Sequence, residues 1–170
     1  MSRLSSVTRA QLAPEGQEVW DTLRIRDGSV IGPYPALIRV PELAAIVRRL
    51  SNYLRHIDAF DRSDLELTIL ATTRACGAPW VFDAHVPKGL EAGIRAEAIE
   101  AVRSGSLSEL NPRERVIVEV CEASVRDHRL NDALYARAAA EFSEQTLIKL
   151  IALVGYYSLV AMVMGAFDTE

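Results

Sequence analysis

The chain has 170 residues, of which 49% are hydrophobic and 25% are charged, and its formal net charge at pH 7 is −4. This length and composition are typical of one globular domain with one hydrophobic core, and they exclude a disordered or collagen-like chain. The mildly acidic balance, with basic residues spread along the chain, offers no surface for nucleic-acid phosphates. We expect a single domain over residues 1–170, with residues 1–12 as a flexible N-terminal arm.

The first predicted elements are two helices separated by an irregular loop. The first helix runs from Pro14 to Arg26 and ends at Asp27-Gly28. The segment that follows, GSVIGPYPALIRVP, holds so many glycines and prolines that we expect neither a helix nor a central strand in it. The second helix begins at Pro41, and its apolar residues recur at three- and four-residue steps: Leu43, Ile46, Val47, Leu50, Leu54 and Ile57.

The rest of the chain predicts further helices with short connections. Ser63-Asp64-Leu65-Glu66 is a capping-box pattern, and Asn111-Pro112-Arg113-Glu114 is a second N-terminal signal. Short connections indicate antiparallel neighbours. We therefore predict an all-α bundle of roughly eight helices, the later ones being Ser63 to about Cys76, Trp80 to about Ala92 with a kink at Pro87, about Arg95 to Ser104, Asn111 to about Asp127, Asp132 to Glu141, and one capped by Ser143.

The last helix is unusual because residues 150–167 are uncharged over 18 residues, the lower limit for a membrane span. Its glycines, its Tyr156-Tyr157 pair and the acidic end after it argue against insertion. A helix that is apolar on every side must be buried, either in a bundle or against another subunit. We expect self-association, no membrane partner and, because the N-terminus lacks a signal stretch, a cytoplasmic location.

Several motifs in this order resemble the carboxymuconolactone decarboxylase family, whose superfamily includes the AhpD-like alkylhydroperoxidases. They are GSVIGPYPALIRVPELA, SDLELTIL, GAPWVFDAHVPKGLEAGI and EAIEAVRSG, within a likeness that extends from about Asp27 to Gly165. The resemblance implies an AhpD-like helical bundle that forms trimers or hexamers and acts on a small molecule.

The chain departs from the thiol-peroxidase branch of that superfamily. In that branch a CxxC begins the histidine's helix, with its second cysteine four residues before the histidine, and here those positions hold Ala78 and Val81. Cys76 lies two residues too early and has no partner thiol one turn along. A peroxidase of this type needs a thiolate and a resolving thiol, so dithiol turnover is disfavoured.

What matches is Glu66, which lies 19 positions before His85. The resemblance implies an acid-base site in which Glu66 orients His85. Two straight antiparallel helices would leave the pair roughly 8 Å apart along their axes, so a kink, a crossing angle, a water or a second subunit would have to close the gap. The simpler alternatives are that Glu66 completes the capping box of Ser63 and that His85 is a hydrogen-bonded core residue.

Four further residues are candidates for substrate binding, each with a commoner structural role. Trp80 and Phe82 can line a pocket for a flat ligand, although packing is the commoner use of such residues. Arg74 can hold a carboxylate through two hydrogen bonds, and Tyr34 can cover a pocket. The three histidines, His56, His85 and His128, show no metal-binding spacing, so we expect no metal and no cofactor.

The sequence thus predicts a cofactor-free, decarboxylase-like acid-base enzyme. Its substrate would be a small carboxylated lactone, a keto acid or an aromatic-catabolite derivative, with His85 and Glu66 as the catalytic residues. Two alternatives remain open: an AhpD-like alkyl hydroperoxide peroxidase, and a non-catalytic oligomer that binds a ligand or a partner.

Overall fold

The computed structural model describes residues 2–23, 25–26, 29–56 and 60–169, with the backbone alone at residues 25–26. They form two compact units, Met1–Tyr53 with Met162–Glu170, and Leu54–Ala161. The single domain expected from chain length stays a prediction. Of the predicted positions, Asp27, Gly28 and Ile57 lie outside the described residues.

The first unit contains short elements that the sequence did not predict. Helix α1 (Pro14–Asp21) is followed by a two-stranded antiparallel ribbon of β1 (Ile25–Arg26) and β2 (Ser29–Val30), then by helix α2 (Tyr34–Leu37) and most of helix α3 (Pro41–Arg55). The predicted first helix to Arg26 is therefore too long, and the predicted loop is wrong at β2 and α2. Proline at the first turn of a helix does not interrupt it, which is why α2 forms around Pro35.

The predicted N-terminal arm is tied to the end of the chain within this unit. The backbone N–H of Arg3 donates to the carbonyl of Phe167 at 2.9 Å, and Arg3 Nε lies 2.9 Å from Asp168 Oδ2. A turn of 3-10 helix follows at Arg9–Gln11, and Arg9 pairs with Asp21 at 2.7 Å. Residues 2–12 thus make specific contacts with two other segments.

The second unit is a helical bundle built around one central helix. It contains α4 (Arg62–Ala75), α5 (Pro79–Glu91), α6 (Ala96–Ser104), α7 (Pro112–Arg126), α8 (Asp132–Glu141) and the greater part of α9 (Glu144–Phe167). Helix α4 packs against α5, α6 and α7, and α7 also packs against α8. The described residues hold nine α-helices and one short ribbon, so the all-α prediction is confirmed; α2 is the helix that the sequence missed.

The two predicted capping signals have different outcomes. The side chain of Asn111 accepts the N–H of Glu114, whose carboxylate accepts the N–H of Asn111, so this capping box is confirmed. The box at Ser63 is wrong, because α4 begins one residue earlier, at Arg62. Ser63 then lies inside the first turn, and Glu66 directs its carboxylate elsewhere.

Helix α9 is apolar on all sides but is not buried on all sides. It is long and apolar enough to cross a membrane, and half of its most apolar window is buried within the structure. The bundle of this chain therefore buries only part of the helix, and burial of the rest against another subunit stays a prediction. Its exposed large apolar side chains are Ile148, Ile151, Met162 and Phe167.

Candidate acid-base site

The buried centre of the second unit holds a carboxylate and an imidazole in direct contact. Glu66 lies on α4 and His85 on α5, and the turn between these helices passes through Gly77 at φ +65°. His85 Nδ1 lies 2.7 Å from Glu66 Oε2, and the two residues are 5% and 0% exposed. The gap of about 8 Å that two straight antiparallel helices would leave is therefore closed by direct contact. The contact forms within one chain.

The contact fixes which nitrogen of His85 carries the proton. Burial alone raises the pKa of Glu66, but the hydrogen bond with His85 and the positive charges of Lys88 and Arg55 outweigh it, so the pKa lies below its ordinary value. An ionised carboxylate has no proton to donate, and Nδ1 of His85 must therefore donate to Glu66. The other ring nitrogen, Nε2, then has a lone pair.

The imidazole is held in its neutral form. Burial lowers the pKa of His85, the hydrogen bond with Glu66 opposes this, and the charge of Lys88 lowers it further, leaving the pKa below its ordinary value. A buried ionised carboxylate beside a neutral imidazole is the arrangement expected of a base and the group that orients it. Glu66 Oε1 has no hydrogen-bond partner among the described residues.

Two groups from different helices lie next to Nε2 of His85. Lys88 Nζ, one turn along α5, is 3.4 Å from Nε2, and the hydroxyl oxygen of Tyr157 on α9 is also 3.4 Å away. The rings of His85 and Tyr157 meet edge to face, with centroids 5.4 Å apart at 89°. Arg55, at the end of α3, adds a second positive charge that acts on the pair. The site therefore combines a proton acceptor with a positive potential.

Two of the four tentative substrate-binding residues, Arg74 and Phe82, have other partners within the second unit. Arg74 forms an ion pair with Glu122 at 2.7 Å. Phe82 is 2% exposed and packs in the core. Trp80 is 37% exposed at the start of α5, and Tyr34 is buried in the first unit. Arg74 and Phe82 thus have the structural roles that the sequence gave as their commoner ones.

The two cysteines lie in unlike surroundings. Cys76 follows the last residue of α4, is half-buried, and has its sulfur 3.5 Å from the hydroxyl of Ser158. Burial raises the pKa of Cys121 to about 12, which keeps its thiol protonated. Neither residue lies in a pair of redox thiols of the kind that a CxxC supplies. Within the described part of the chain, no three His, Cys, Asp or Glu side chains are grouped in a way that can hold a metal ion.

Sequence reasoning missed three residues of the site. Lys88 had a visible signal, because a residue three positions after His85 lies on the same helical face. Tyr157 is 72 positions from His85, and only the fold brings them together. Arg55 acts through its charge from the end of α3, and no local pattern in the sequence connects it with His85.

This architecture and its central helix pair define an AhpD-like all-α fold, as expected from the resemblance. An uncharacterised peroxidase-related protein with an alkylhydroperoxidase AhpD core, from Ralstonia eutropha JMP134, superposes with a TM-score of 0.81 at 16% identity, over 99% of this chain and 91% of that one. A protein of unknown function from Agrobacterium tumefaciens, ATU0492, gives a TM-score of 0.72 at 19% identity, over 79% of this chain and 93% of the other.

A third similar structure is an enzyme with a known ligand. The debrominase Bmp8, in a complex with 2,3,4-tribromopyrrole, has a TM-score of 0.77 at 16% identity, over 100% of this chain and 93% of that chain. No family model matches the sequence, and no curated protein matches it. At these identities the likeness shows the fold, and the chemistry has to be argued from the site.

Proposed function

We propose that this chain is a cofactor-free acid-base enzyme that decarboxylates a small organic acid. The substrate class is a carboxylated lactone, a keto acid or an aromatic-catabolite derivative. The observation that carries the proposal is the 2.7 Å contact between Glu66 and His85, both buried, in the interior of the second unit. A buried ion costs several kcal/mol unless it is paired, so a carboxylate with one unpartnered oxygen is more typical of a working site than of a packed core.

In the proposed reaction, His85 supplies the proton that replaces CO2. The bond between the substrate carbon and its carboxylate breaks, and the electron pair stays on the carbon as a carbanion or dienolate. The positive charges of Lys88 and Arg55 stabilise that anion. His85 takes up a proton from solvent, Glu66 stabilises the imidazolium, and the imidazolium is the source of the proton that the carbon receives. The sum of the steps consumes one proton and releases one CO2.

The test is CO2 release from a panel of small carboxylated lactones and keto acids. In His85→Asn the amide nitrogen can still donate to Glu66, but the acceptor at Nε2 is removed. We expect this variant to lose roughly 10²- to 10⁴-fold in kcat, the usual contribution of a general acid or base. Glu66→Gln keeps the shape of the site and should lose less. His128→Asn, at an exposed histidine, is the matched control and should keep full activity.

Two results would replace this proposal with one of its alternatives. Steady consumption of an alkyl hydroperoxide with a dithiol reductant, abolished by Cys76→Ala, would make the chain a peroxidase. Unchanged ligand binding in His85→Ala, with no turnover of any substrate by the unaltered protein, would make it a non-catalytic binding protein.

We also propose that the chain self-associates through exposed apolar residues of α9. Ile148 is 60% exposed and Ile151 is 37% exposed, three positions apart on one face of the helix. Contiguous apolar surface of this kind marks interaction sites on folded proteins. Light scattering should give a multiple of the chain mass of 18.8 kDa, with a trimer or hexamer expected, and the mass of one chain would contradict the proposal.

A further inference from the structure

Tyr157 lies beside the acid-base pair and has no part in the chemistry proposed above. It reaches His85 from α9, a third helix, and its oxygen is 3.4 Å from Nε2. The residue is 4% exposed, and its ring meets the imidazole edge to face. The ring packing therefore holds the hydroxyl beside the nitrogen that the reaction uses.

The direction of this hydrogen bond follows from the other side of the imidazole. Nδ1 donates to the carboxylate of Glu66, so Nε2 carries the lone pair. In these two contacts the hydroxyl of Tyr157 and the ammonium of Lys88 are then the donors, and they share the one lone pair of Nε2. At 3.4 Å each is a long and therefore weak hydrogen bond.

The two neighbours of Nε2 differ in what they can pass on. A hydroxyl can give its proton to one group while it accepts a proton from another, whereas an ammonium has donors only. His85 is 5% exposed, so a proton that leaves Nε2 passes first to a group in contact with it. The charges that face the ring are Glu66 from α4, Lys88 from α5 and Arg55 from α3. The two cations favour a transient phenolate on Tyr157.

We infer that Tyr157 completes a relay with Glu66 and His85, and that its hydroxyl is the path by which the proton of the buried imidazole reaches the reacting group. This inference rests on the proposed acid-base function. When His85 acts as an acid, Nε2 gives its proton to the oxygen of Tyr157 as that oxygen gives its own proton to the carbanion. Tyr157 ends as it began, and the imidazole ends neutral. In the opposite direction the same two transfers run in reverse.

The test is nuclear magnetic resonance of the histidine ring in Tyr157→Phe, with Tyr156→Phe as the matched control. Tyr156 is the neighbouring residue, is 6% exposed, and packs its ring edge to face on that of Tyr157 at 5.1 Å. Both substitutions remove one buried hydroxyl and keep the ring. A donor to Nε2 favours the neutral imidazole, so Tyr157→Phe should raise the pKa of His85, and Tyr156→Phe should leave it unchanged.

A second readout follows the proton itself. In the protonated imidazole, exchange of the Nε2 proton with water, measured by saturation transfer below the folded pKa of His85, should slow by about tenfold or more in Tyr157→Phe, equivalent to about 1.4 kcal/mol in the barrier. Exchange should keep its rate in Tyr156→Phe. An unchanged pKa and exchange rate in Tyr157→Phe would overturn the inference, and so would equal changes in both variants, which would indicate loss of packing.

Two features keep the outcome separate from that of the proposed function. The resonance measurements need no substrate. If no compound in the panel of lactones and keto acids is turned over, the decarboxylase proposal fails, and the proton path through Tyr157 can still be tested. If Tyr157→Phe does not fold, the unaltered protein gives the answer. A nitrogen-15 signal of a bare Nε2 that accepts a hydrogen bond supports the relay, and a signal showing a proton bonded to Nε2 at neutral pH overturns it.

Discussion

Lowering the pH should reduce the free energy of unfolding because His85 is buried in its neutral form. This loss should begin well above the pH range in which carboxylates ordinarily titrate. The ordinary pKa of the imidazole is 6.5, and burial with the charge of Lys88 lowers the pKa in the folded state. Below pH 6.5 the unfolded chain therefore binds a proton that the folded chain does not. The free energy of unfolding should fall by up to about 1.4 kcal/mol for each pH unit, until the pH reaches the folded pKa. Glu66, whose pKa is lowered from 4.5, contributes a loss of the same sign at lower pH.

The measurement is a set of urea unfolding curves between about pH 7.5 and 5 for the unaltered protein and for His85→Asn. The unfolding free energy of His85→Asn is subtracted from that of the unaltered protein, so that contributions of titrating groups common to both proteins cancel. This difference should shrink as the pH falls. His128→Asn, at an exposed position, is the control that should follow the unaltered protein. A difference that stays constant with pH, or that grows as the pH falls, would refute the conclusion that His85 is buried in its neutral form.

Three further predictions concern the helices that hold the site. Gly105 has φ +78°, and a Cβ there would lie 1.9 Å from a guanidinium nitrogen of Arg74, so Gly105→Ala should lower the free energy of unfolding by about 1–3 kcal/mol. Gly77 has φ +65°, and no atom lies within 4 Å of the position of an added Cβ, so Gly77→Ala should lower the free energy of unfolding by less than Gly105→Ala does. Equal losses in urea unfolding would contradict the contact between residue 105 and Arg74. Asn111→Ala should cost about 1 kcal/mol by removing the cap of α7, and an unchanged urea midpoint would contradict this. Ile148→Asp should change stability by less than about 0.5 kcal/mol, yet it should lower the mass seen by light scattering.

The helices were predictable because their signals are local. The Asn111 cap, the run of α8 from Asp132 to Glu141, and the glycine after α5 at Gly93 each follow from a few neighbouring residues. The errors arose where tertiary contacts override local signals. The capping box at Ser63 has the right residue types. The carboxylate of Glu66, however, accepts a hydrogen bond from His85 instead of one from the backbone N–H of Ser63.

The site was predictable in part. The spacing of Glu66 and His85 was recognised through resemblance, but spacing along two helices does not give their crossing, so the sequence left open how the two side chains meet. Nothing in the sequence around Tyr157 indicates a role in the site. The residue lies in a long, uncharged helix, and the pattern of that helix predicts burial but not which residues it contacts. Arg74 forms an ion pair with Glu122, a contact that the sequence did not predict, and its role in carboxylate binding stays a prediction.

The central claim is that a neutral imidazole, protonated at Nδ1 and held by an ionised Glu66, presents its lone pair at Nε2. Nitrogen-15 resonance of the histidine rings at neutral pH tests this directly. The account predicts that His85 shows one protonated nitrogen, at Nδ1, and one bare nitrogen, at Nε2. Signals from two protonated nitrogens, or a proton on Nε2 with a bare Nδ1, would contradict it.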